Sequence, residues 1–262
     1  MQSYSRTQDI SFDRNLGLTG WIRYHQEPVK GIKVIQDAVT QTGLPIDELR
    51  LLRALVNVGA WSQIISYLLE NPTADMRSVR AIIRGRVLYS PDDEAVAWLP
   101  VVVHFAPDYL LDYAKQFLLQ SRLVVAAEWA VAATESNPSG AARLLEGQIL
   151  FYQGYYDEAV TLLTLLSSES PEDADAAYWL GRSLLYSGKL MAAIPELETA
   201  ARLDTSPDSA WALHDLGNAL TKMGHCSDAK DAFREGLRRL PNNQSDVAQL
   251  LNEAMLLMSE CE

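Results

Sequence analysis

Small and apolar residues recur along residues 140–243 at spacings typical of paired helices. The segment AAYWLGRSLLYSGKLMAAIPELETAARLD begins at Ala176 and is followed from Trp211 by the similar WALHDLGNALTKMGHCSDAKDAFREGLRRLPNN. Three glycines stand in register, with intervals of 34 and 36 residues between them; they are Gly147, Gly181 and Gly217. Each is followed seven residues later by a second glycine (Gly154, Gly188, Gly224) and five further on by an alanine (Ala159, Ala193, Ala229). The pattern predicts one structural unit repeated at least three times.

The spacing has a physical interpretation as a helical hairpin. A glycine inside a helix is unfavourable unless a neighbouring helix must approach closely, which is the role expected of Gly181. The glycine seven residues later ends that helix, where a left-handed residue is favoured. Such a hairpin cannot bury its apolar face alone, so the units must stack on one another. We expect helices to begin near residues 142, 157, 176, 191, 210 and 227.

Residues 140–173, 174–207 and 210–243 resemble the tetratricopeptide repeat, in which each unit pairs a helix A with a helix B. The resemblance implies an all-α fold, a right-handed superhelix of stacked hairpins. Three positions depart from the family pattern: Glu146 replaces an apolar residue, Thr205 replaces the terminal proline, and Pro195 lies early in a helix B. Pro195 should start that helix late or bend it.

The first half of the chain fits the pattern less well. Residues 1–11 are polar and are expected to form a flexible arm. Residues 12–106 are interpreted as helical hairpins, either degenerate repeats or a helical docking region. In the first hairpin, five residues fall at the family's spacings, namely Leu18, Ile22, Gly31, Ile35 and Ala38. A plain helical hairpin would produce similar periodicity.

Further helices are predicted between residues 45 and 105. Asp47 should cap the helix ELRLLRALVNVG, which ends at Gly59, and WSQIISYLLEN should stop before Pro72. Residues 76–89 are expected to form another helix. A last one covers residues 92–105 and is interrupted or begun at Pro100.

Two further segments complete the predicted solenoid of residues 107–243. Residues 107–139 form a fourth repeat unit, whose nearly continuous apolar stretch QFLLQSRLVVAAEWAVAA favours an interior unit buried on both sides. Residues 244–262 form one amphipathic helix without a partner, which suits a cap on the last hairpin. The cap should bury Leu250, Leu251, Ala254 and Leu257.

Charge is unevenly distributed. Residues 1–106 hold 11 basic and 11 acidic side chains, whereas residues 107–262 hold 11 and 23, so the formal net charge of −12 belongs to the repeat half. Nucleic acid is not expected as a partner, because phosphate contacts need clustered cations. One basic cluster stands out and consists of Arg77, Arg80, Arg84 and Arg86. It is interpreted as a solvated or internally paired face, with a phosphate- or acid-binding patch as the alternative.

No catalytic motif is present, and no enzyme activity, cofactor or metal site is expected. The four histidines (His25, His104, His214, His225) lack metal-ligand spacing, although His225 adjoins Cys226. The two cysteines, Cys226 and Cys261, argue against a disulfide framework and are compatible with a reducing compartment. The N-terminus lacks an apolar run, and the longest aliphatic stretch is too short to span a bilayer. A cytoplasmic location without membrane insertion is therefore expected.

The resemblance further implies that helix A of each unit lines a concave groove that binds a peptide or protein segment. The groove-facing positions are Lys115, Gln148, Tyr152, Tyr178, Arg182, Tyr186, Trp211, His214, Asn218 and Lys222. For the aromatic residues, especially Trp211, packing between repeats is the alternative role. The carboxylate clamp of the chaperone-binding members is not reproduced, because Asp175 and Asp215 occupy two of its positions. Chaperone tails are therefore not the expected ligands.

Three cations of the acidic half, Lys115, Arg182 and Lys222, fall on these groove positions. They favour a partner segment with at least one carboxylate, for which Arg182 is the expected bidentate anchor. In the alternative, the cations pair with Asp175 or Asp215 inside the superhelix.

The favoured function is a non-enzymatic scaffold or adaptor that holds a partner segment in the groove. The alternative is a regulatory or targeting subunit of a larger enzyme or secretion assembly that docks through the N-terminal helices. An enzyme with an unrecognised N-terminal active site is the third possibility.

Overall fold

The computed structural model describes residues 16–240 and 246–257, which are helical and contain no strand. The polar arm expected at residues 1–11 lies outside these residues. The helices are α1 (16–24), α2 (Pro28–Thr42), α3 (Pro45–Asn57), α4 (Trp61–Glu70), α5 (Met76–Arg86), α6 (Asp92–Ala97), α7 (Leu99–Phe105), α8 (Leu110–Leu119), α9 (Leu123–Ser136), α10 (Gly140–Tyr152), α11 (Tyr156–Glu169), α12 (Ala174–Tyr186), α13 (Leu190–Leu203), α14 (Ala210–Lys222), α15 (Cys226–Arg239) and α16 (Asp246–Leu257). The all-α class is confirmed.

The repeat register predicted from the glycines is confirmed by the six helices α10–α15. They begin at residues 140, 156, 174, 190, 210 and 226, each within two residues of the expected start. The turn inside each hairpin contains a glycine in the left-handed region, with φ of 84° at Gly154, 80° at Gly188 and 79° at Gly224. A side chain at these positions would be strained, so the glycines fix where each helix A ends.

The other three glycines lie where the two helices of a hairpin cross. A Cβ atom at Gly147 would lie 2.6 Å from Leu163 Cδ2, and one at Gly181 would lie 2.7 Å from Leu197 Cγ. At Gly217 a Cβ atom would overlap the ring of Phe233. Each glycine thus lets a large apolar side chain of helix B rest directly on the backbone of helix A.

The chain divides into two units, residues 1–116 and 117–262, and the division falls within α8. In the first unit, α2 packs on α3, α3 on α4, and α7 on both α4 and α5. In the second unit, each helix from α9 to α15 packs on the next one along the chain. This neighbour-to-neighbour packing is the organisation of a solenoid.

The first unit corrects two expectations about its helices. Leu18 and Ile22 are exposed, because α1 turns Gly17 and Gly20 inward and their missing side chains allow close packing. Helix α3 begins at Pro45, so Asp47 lies within its first turn instead of capping it. The buried Asp47 carboxylate instead accepts hydrogen bonds from Arg50 Nη1 at 2.7 Å and Thr42 Oγ1 at 3.2 Å.

Two proline expectations have different outcomes. The predicted interruption of the helix over residues 92–105 is confirmed, since α6 ends at Ala97 and α7 starts at Leu99 with Pro100 in its first turn. A late start of α13 is wrong, because α13 begins at Leu190 and Pro195 lies inside it. A proline in the sixth position removes one backbone hydrogen bond without preventing the first turn.

The unit at residues 107–139 is not buried on both sides. Helix α9 directs Ala126, Trp129, Ala130 and Ala133 inward, but Val124 and Val131 on its opposite face are exposed. The apolar stretch is continuous in sequence because apolar side chains, including Val124 and Val131, also occupy the exposed face of α9.

Helix α16 lies against the last hairpin. It packs on α14 and α15 and buries Val247, Ala248 and Leu251. Ala254 is half-buried, whereas Leu250 is 38% exposed, so the predicted burial of Leu250 is wrong. The side chain of Leu257 lies outside the described residues.

Candidate functional site

The first helices of successive repeats form one continuous face of the second unit. Helix α10 contacts α12, and α12 contacts α14. Contacts between α11 and α13, and between α13 and α15, are sparser over residues 156–239, all of which are described. Helices α10, α12 and α14 therefore lie on the inner side of the stack. We call their exposed surface the A-helix face.

Six aromatic rings meet where the repeat of residues 140–173 contacts the repeat of residues 174–207. We call them the aromatic cluster. It consists of Phe151, Tyr152, Tyr156, Tyr178, Trp179 and Tyr186. Phe151 is buried at its centre, with ring centroids 5.0 Å from Tyr186 and 5.6 Å from Trp179, both near perpendicular. Edge-to-face contacts of this kind stabilise aromatic pairs and fix ring orientation.

Two rings of the cluster reach solvent on the A-helix face. Tyr152 is 50% exposed and Tyr186 is 51% exposed. Tyr152 contacts both Phe151 and Trp179, and Tyr186 contacts both Phe151 and Tyr156. The two tyrosines are thus held by their neighbours while their outer faces stay free, which favours binding because little rotamer entropy remains to be lost.

Arg182 lies beneath this surface and is engaged within the protein. Its Nη1 donates a hydrogen bond to Tyr178 Oη at 2.9 Å, and its Nε lies 3.4 Å from Asp215 Oδ2. The guanidinium carbon is 5.0 Å from the ring centre of Phe151 and 5.3 Å from that of Trp179. Such positions allow cation–π attraction. Arg182 therefore links two repeats from inside the cluster.

Burial and charge act in opposite directions on the groups around Arg182. Burial lowers the pKa of Arg182, but the nearby Tyr178 and Asp215 outweigh it and raise the pKa above its ordinary value. Burial and the Asp215 carboxylate together raise the pKa of the Tyr178 hydroxyl, with Arg182 acting against them. Arg182 thus stays charged, and Tyr178 stays protonated at neutral pH.

Polar side chains in the middle of α14 extend the contact between Arg182 and Asp215. Asp215 Oδ1 lies 3.1 Å from Nδ1 of His214, and the side-chain nitrogen of Asn218 lies 3.3 Å from the same ring. Trp211 is half-buried against the hydrophobic core of the repeats, with its ring 6.3 Å from that of His214. Packing between repeats, the alternative role foreseen for Trp211, agrees with this position.

The sequence-derived groove positions are only partly brought together. Tyr152, Tyr186 and Lys222 are exposed in the second unit, while six others are half-buried there, namely Gln148, Tyr178, Arg182, Trp211, His214 and Asn218. Lys115 is exposed but belongs to the first unit. Lys222 makes no ion pair with any residue of the described ranges. For Arg182, the pairing with Asp215 agrees with the alternative interpretation, in which the cations pair with acidic residues inside the superhelix.

Sequence reasoning missed the rings that support the exposed tyrosines. Phe151, Tyr156 and Trp179 were not proposed as site residues, yet they hold Tyr152 and Tyr186 in place. The available signal was the pairing of aromatic residues in sequence at 151–152, 155–156 and 178–179.

Carboxylates lie where the helices of the A-helix face begin, at the end away from Tyr186 and Lys222. Burial raises the pKa of Asp175, and the negative charges of Asp173, Asp204 and Asp208 raise it further. Tyr186 and Lys222 occupy equivalent positions at the carboxyl ends of α12 and α14. The face is therefore acidic where its helices begin, and it offers aromatic and cationic groups where they end.

Two of the four arginines of the basic cluster on α5 form ion pairs within the first unit. Arg80 makes two hydrogen bonds to Asp108, and Arg86 makes two to Glu94, both at 2.6 Å. Arg77 and Arg84 make no ion pair with described residues. The internally paired interpretation holds for two of the four arginines.

Features of other chemistry are few. Within residues 16–240 and 246–257, no three His, Cys, Asp or Glu side chains lie together in an arrangement that could hold a metal ion. Cys226 is disulfide-bonded, although the number of cysteines argued against a disulfide framework, and Cys261 lies outside the described residues. No helix of the described ranges has both the length and the apolar character needed to cross a bilayer.

Two solved structures share the solenoid fold. MamA (residues 41 to the end) of Desulfovibrio magneticus RS-1 is 20% identical with a TM-score of 0.52, covering 62% of this chain and 93% of its own. PilF of Pseudomonas aeruginosa is also 20% identical with a TM-score of 0.52, covering 59% and 70%.

The family model of the tetratricopeptide repeat matches residues 144–210 and 180–220. This match and the repeat register in the structure agree over residues 144–220, which resemble the tetratricopeptide repeat. A curated relative, the DnaJ homolog subfamily C member 7 homolog of Schizosaccharomyces pombe, is 27% identical over 125 residues. The match covers 44% of this chain and 26% of the relative, so the chain spans about a quarter of that protein's length. A protein-interaction module is the class of function that the fold indicates.

Proposed function

We propose that this protein is a non-enzymatic adaptor that binds an extended partner segment across the A-helix face. The proposal rests on Tyr152 and Tyr186, two half-exposed rings held by the buried Phe151. Tyrosines in fixed orientations supply contact area at low entropic cost and are frequent hot spots of interfaces. An apolar or planar side chain of the partner would lie on these rings.

The charges of the face give the segment a direction. A carboxylate of the partner would lie near Lys222, which has no ion-pair partner among the described residues, and away from Asp175 at the acidic end. Arg182 acts as a positioning residue, because its Nη1 donates to Tyr178 and Asp215 already balances its charge. The expected anchor for the partner's carboxylate is therefore Lys222 instead of Arg182.

The alternative function, a regulatory or targeting subunit that docks through its N-terminal helices, has support of its own. An apolar groove lies between α3 and α5 in the first unit. The two functions are compatible, because an adaptor with one site in each unit would join two partners.

The test of the A-helix face uses peptides selected on the full-length chain from a random display library. Their affinities would be compared between the wild type and the variants Tyr152→Ala, Tyr186→Ala and Lys222→Glu. We expect each tyrosine variant to weaken binding about tenfold or more, which is typical of hot-spot tyrosines. Lys222→Glu should weaken binding most at low ionic strength, because screening reduces charge attraction.

The matched control is Tyr155→Ala. Tyr155 is 54% exposed in the turn before α11 and makes no ring contact within the described ranges. Its loss should leave binding unchanged, and circular dichroism should show that all variants remain folded at the temperature of the binding assay. Equal affinities for the wild type and both cluster variants would overturn the proposal, as would an equal loss in Tyr155→Ala.

A further inference from the structure

Gly85 of α5 is a helical glycine without a packing role, and it lines a groove between α3 and α5. Gly85 lies in the last turn of α5 with ordinary helical geometry, and a Cβ atom added there would meet no atom within 4 Å. All fourteen glycines lie within the described residues, and those inside the other helices face a close neighbour or, at Gly140, an ordinary contact. A glycine destabilises a helix relative to alanine, and the open space at Gly85 would admit a bound partner.

The space in front of Gly85 is a groove of about 410 Å³. Its apolar lining consists of Leu49, Leu52, Val56, Trp61, Ala81 and Ile82. On α3 the lining residues run from Leu49 to Asn57, and on α5 they run from Ser78 to Arg86. Each wall therefore spans eight residue steps, or about 12 Å at 1.5 Å per residue. This length matches two turns of a third helix laid between the two walls.

The two arginines of the groove differ in availability. Arg86 is held by two hydrogen bonds to Glu94 at 2.6 Å, and its guanidinium carbon lies 4.6 Å from the ring centre of Trp61. It is thus a fixed part of the wall. Arg53 is exposed on the α3 side and makes no ion pair with residues of the described ranges. A ligand with a carboxylate beside its apolar stripe would satisfy Arg53.

We infer that this groove binds a short amphipathic helix from a partner protein. The helix carries apolar side chains at positions i, i+4 and i+7, and an Asp or Glu at its edge contacts Arg53. Spacing of this kind is the usual anchor pattern when a helix enters an apolar groove. Gly85 admits the helix backbone or its central side chain, because no Cβ atom fills that part of the groove. The site is independent of the A-helix face and of the function proposed for it.

The probe is a display library of 14-residue helix-forming peptides, selected on the full-length chain. The positions i, i+4 and i+7 vary among Leu, Ile, Phe, Met and Ser, and the flanking positions vary among Glu, Lys and Ser. We expect the enriched peptides to combine apolar residues in the stripe with Glu at the flank. No enrichment, or enrichment of Lys at the flank, would overturn the proposal.

Substitutions at Gly85 locate the binding site. Gly85→Gln fills the groove and should weaken binding of the enriched peptides at least tenfold. Gly85→Ala should weaken binding less, while it raises the melting temperature by about 2–4 °C through helix propensity. This combination of higher stability and lower affinity separates a blocked site from a damaged fold. Unchanged affinity in Gly85→Gln would sink the inference.

A matched pair of charge reversals tests the role of Arg53. Arg53→Glu should weaken the Glu-bearing peptides and shift a repeated selection toward Lys at the flank, whereas Arg77→Glu, outside the groove lining, should do neither. A second copy of the chain is the alternative occupant of the groove. Analytical ultracentrifugation of the wild type and Gly85→Gln tests for it. A concentration-dependent dimer that Gly85→Gln abolishes would assign the groove to a second copy of the chain and overturn the inference.

Discussion

The guanidinium of Arg182 lies with its Nε 3.4 Å from Oδ2 of Asp215, so one ion pair joins helix A of one repeat to helix A of the next. The side chain of Asp215 is 4% exposed and that of Arg182 is 20% exposed. Arg182 Nε and Asp215 Oδ2 are both buried, and neither makes a hydrogen bond of good geometry within the described residues. The pair therefore depends on charge attraction at a place where water is largely excluded.

Removing one member of this pair should destabilise the repeats. Asp215→Asn leaves Arg182 with an uncompensated charge, and we expect the free energy of unfolding to fall by about 3 kcal/mol, as for other partly buried pairs. Urea unfolding of Asp215→Asn, Arg182→Gln and the double variant gives the coupling energy. Lys222→Gln is the control and should change stability little, since Lys222 has no ion-pair partner within the described ranges. Additive effects of the two single substitutions would contradict this role.

The same pair explains why the site could be predicted only in part. Helix periodicity placed Arg182 and Tyr186 on one stripe of α12, and Tyr186 is indeed exposed. Periodicity within one helix gives no information about what the next helix presents to it. Asp215 and Phe151 come from neighbouring repeats and turn Arg182 from a free cation into an internal link.

The fold was more predictable than the site, because the signals for it are local. Gly181 and Gly188 have backbone requirements that only a helix crossing and a left-handed turn satisfy, so the register could be determined from them. In the first unit that signal is weaker. There Leu18 falls at the family's spacing and yet is exposed, because Gly17 and Gly20 allow α1 to pack through its glycines.

Gly181→Ala should test the crossing of α12 and α13 directly. The new Cβ atom would lie 2.7 Å from Leu197 Cγ and 3.0 Å from the backbone nitrogen of Leu197. The backbone cannot yield without moving α13, so we expect a loss of about 1–3 kcal/mol in the free energy of unfolding, despite the better helix propensity of alanine. Chemical denaturation measures it, with Gly85→Ala as the stabilised control. Equal stabilisation of both variants would contradict the close crossing.

The junction between the last two repeats should depend on pH through Glu235. Hydrogen bonds from Arg238 and Arg239 lower the pKa of Glu235 to about 2. Arg239 also donates to the carbonyl oxygens of Ala201 and Asp204 at 2.7 and 2.9 Å, so Glu235 orients a residue that joins α15 to the carboxyl end of α13. Because the folded pKa is depressed, the ionised carboxylate stabilises the fold fully above the unfolded value of about 4.5.

This stabilisation should be lost as pH falls toward about 2, where the folded protein also takes up the proton. The difference in unfolding free energy between the wild type and Glu235→Gln should therefore be constant above pH 5 or so and shrink below it. Thermal unfolding of both proteins over this range measures the difference. Asp231→Asn, which removes an exposed ion pair with Arg234, is the control and should show little change. A pH-independent difference for Glu235→Gln would contradict the assignment.

The capping role of α16 rests on Leu251 and can be separated from the exposed residue beside it. Leu251 is fully buried, and its Cδ1 would lie 3.0 Å from a Cβ atom added at Gly236 of α15. Leu251→Ala should reduce the free energy of unfolding by about 2–4 kcal/mol, because it leaves a cavity over the last hairpin. Leu250→Ala removes the same atoms from a side chain that is 38% exposed and should cost under about 1 kcal/mol. Denaturant titration with size-exclusion chromatography measures both stability and association. If α16 caps the stack, Leu251→Ala should also bind more of a dye for exposed apolar surface, and Leu250→Ala should not. Equal stability and equal dye binding of the two variants would mean that α16 is a dispensable appendage.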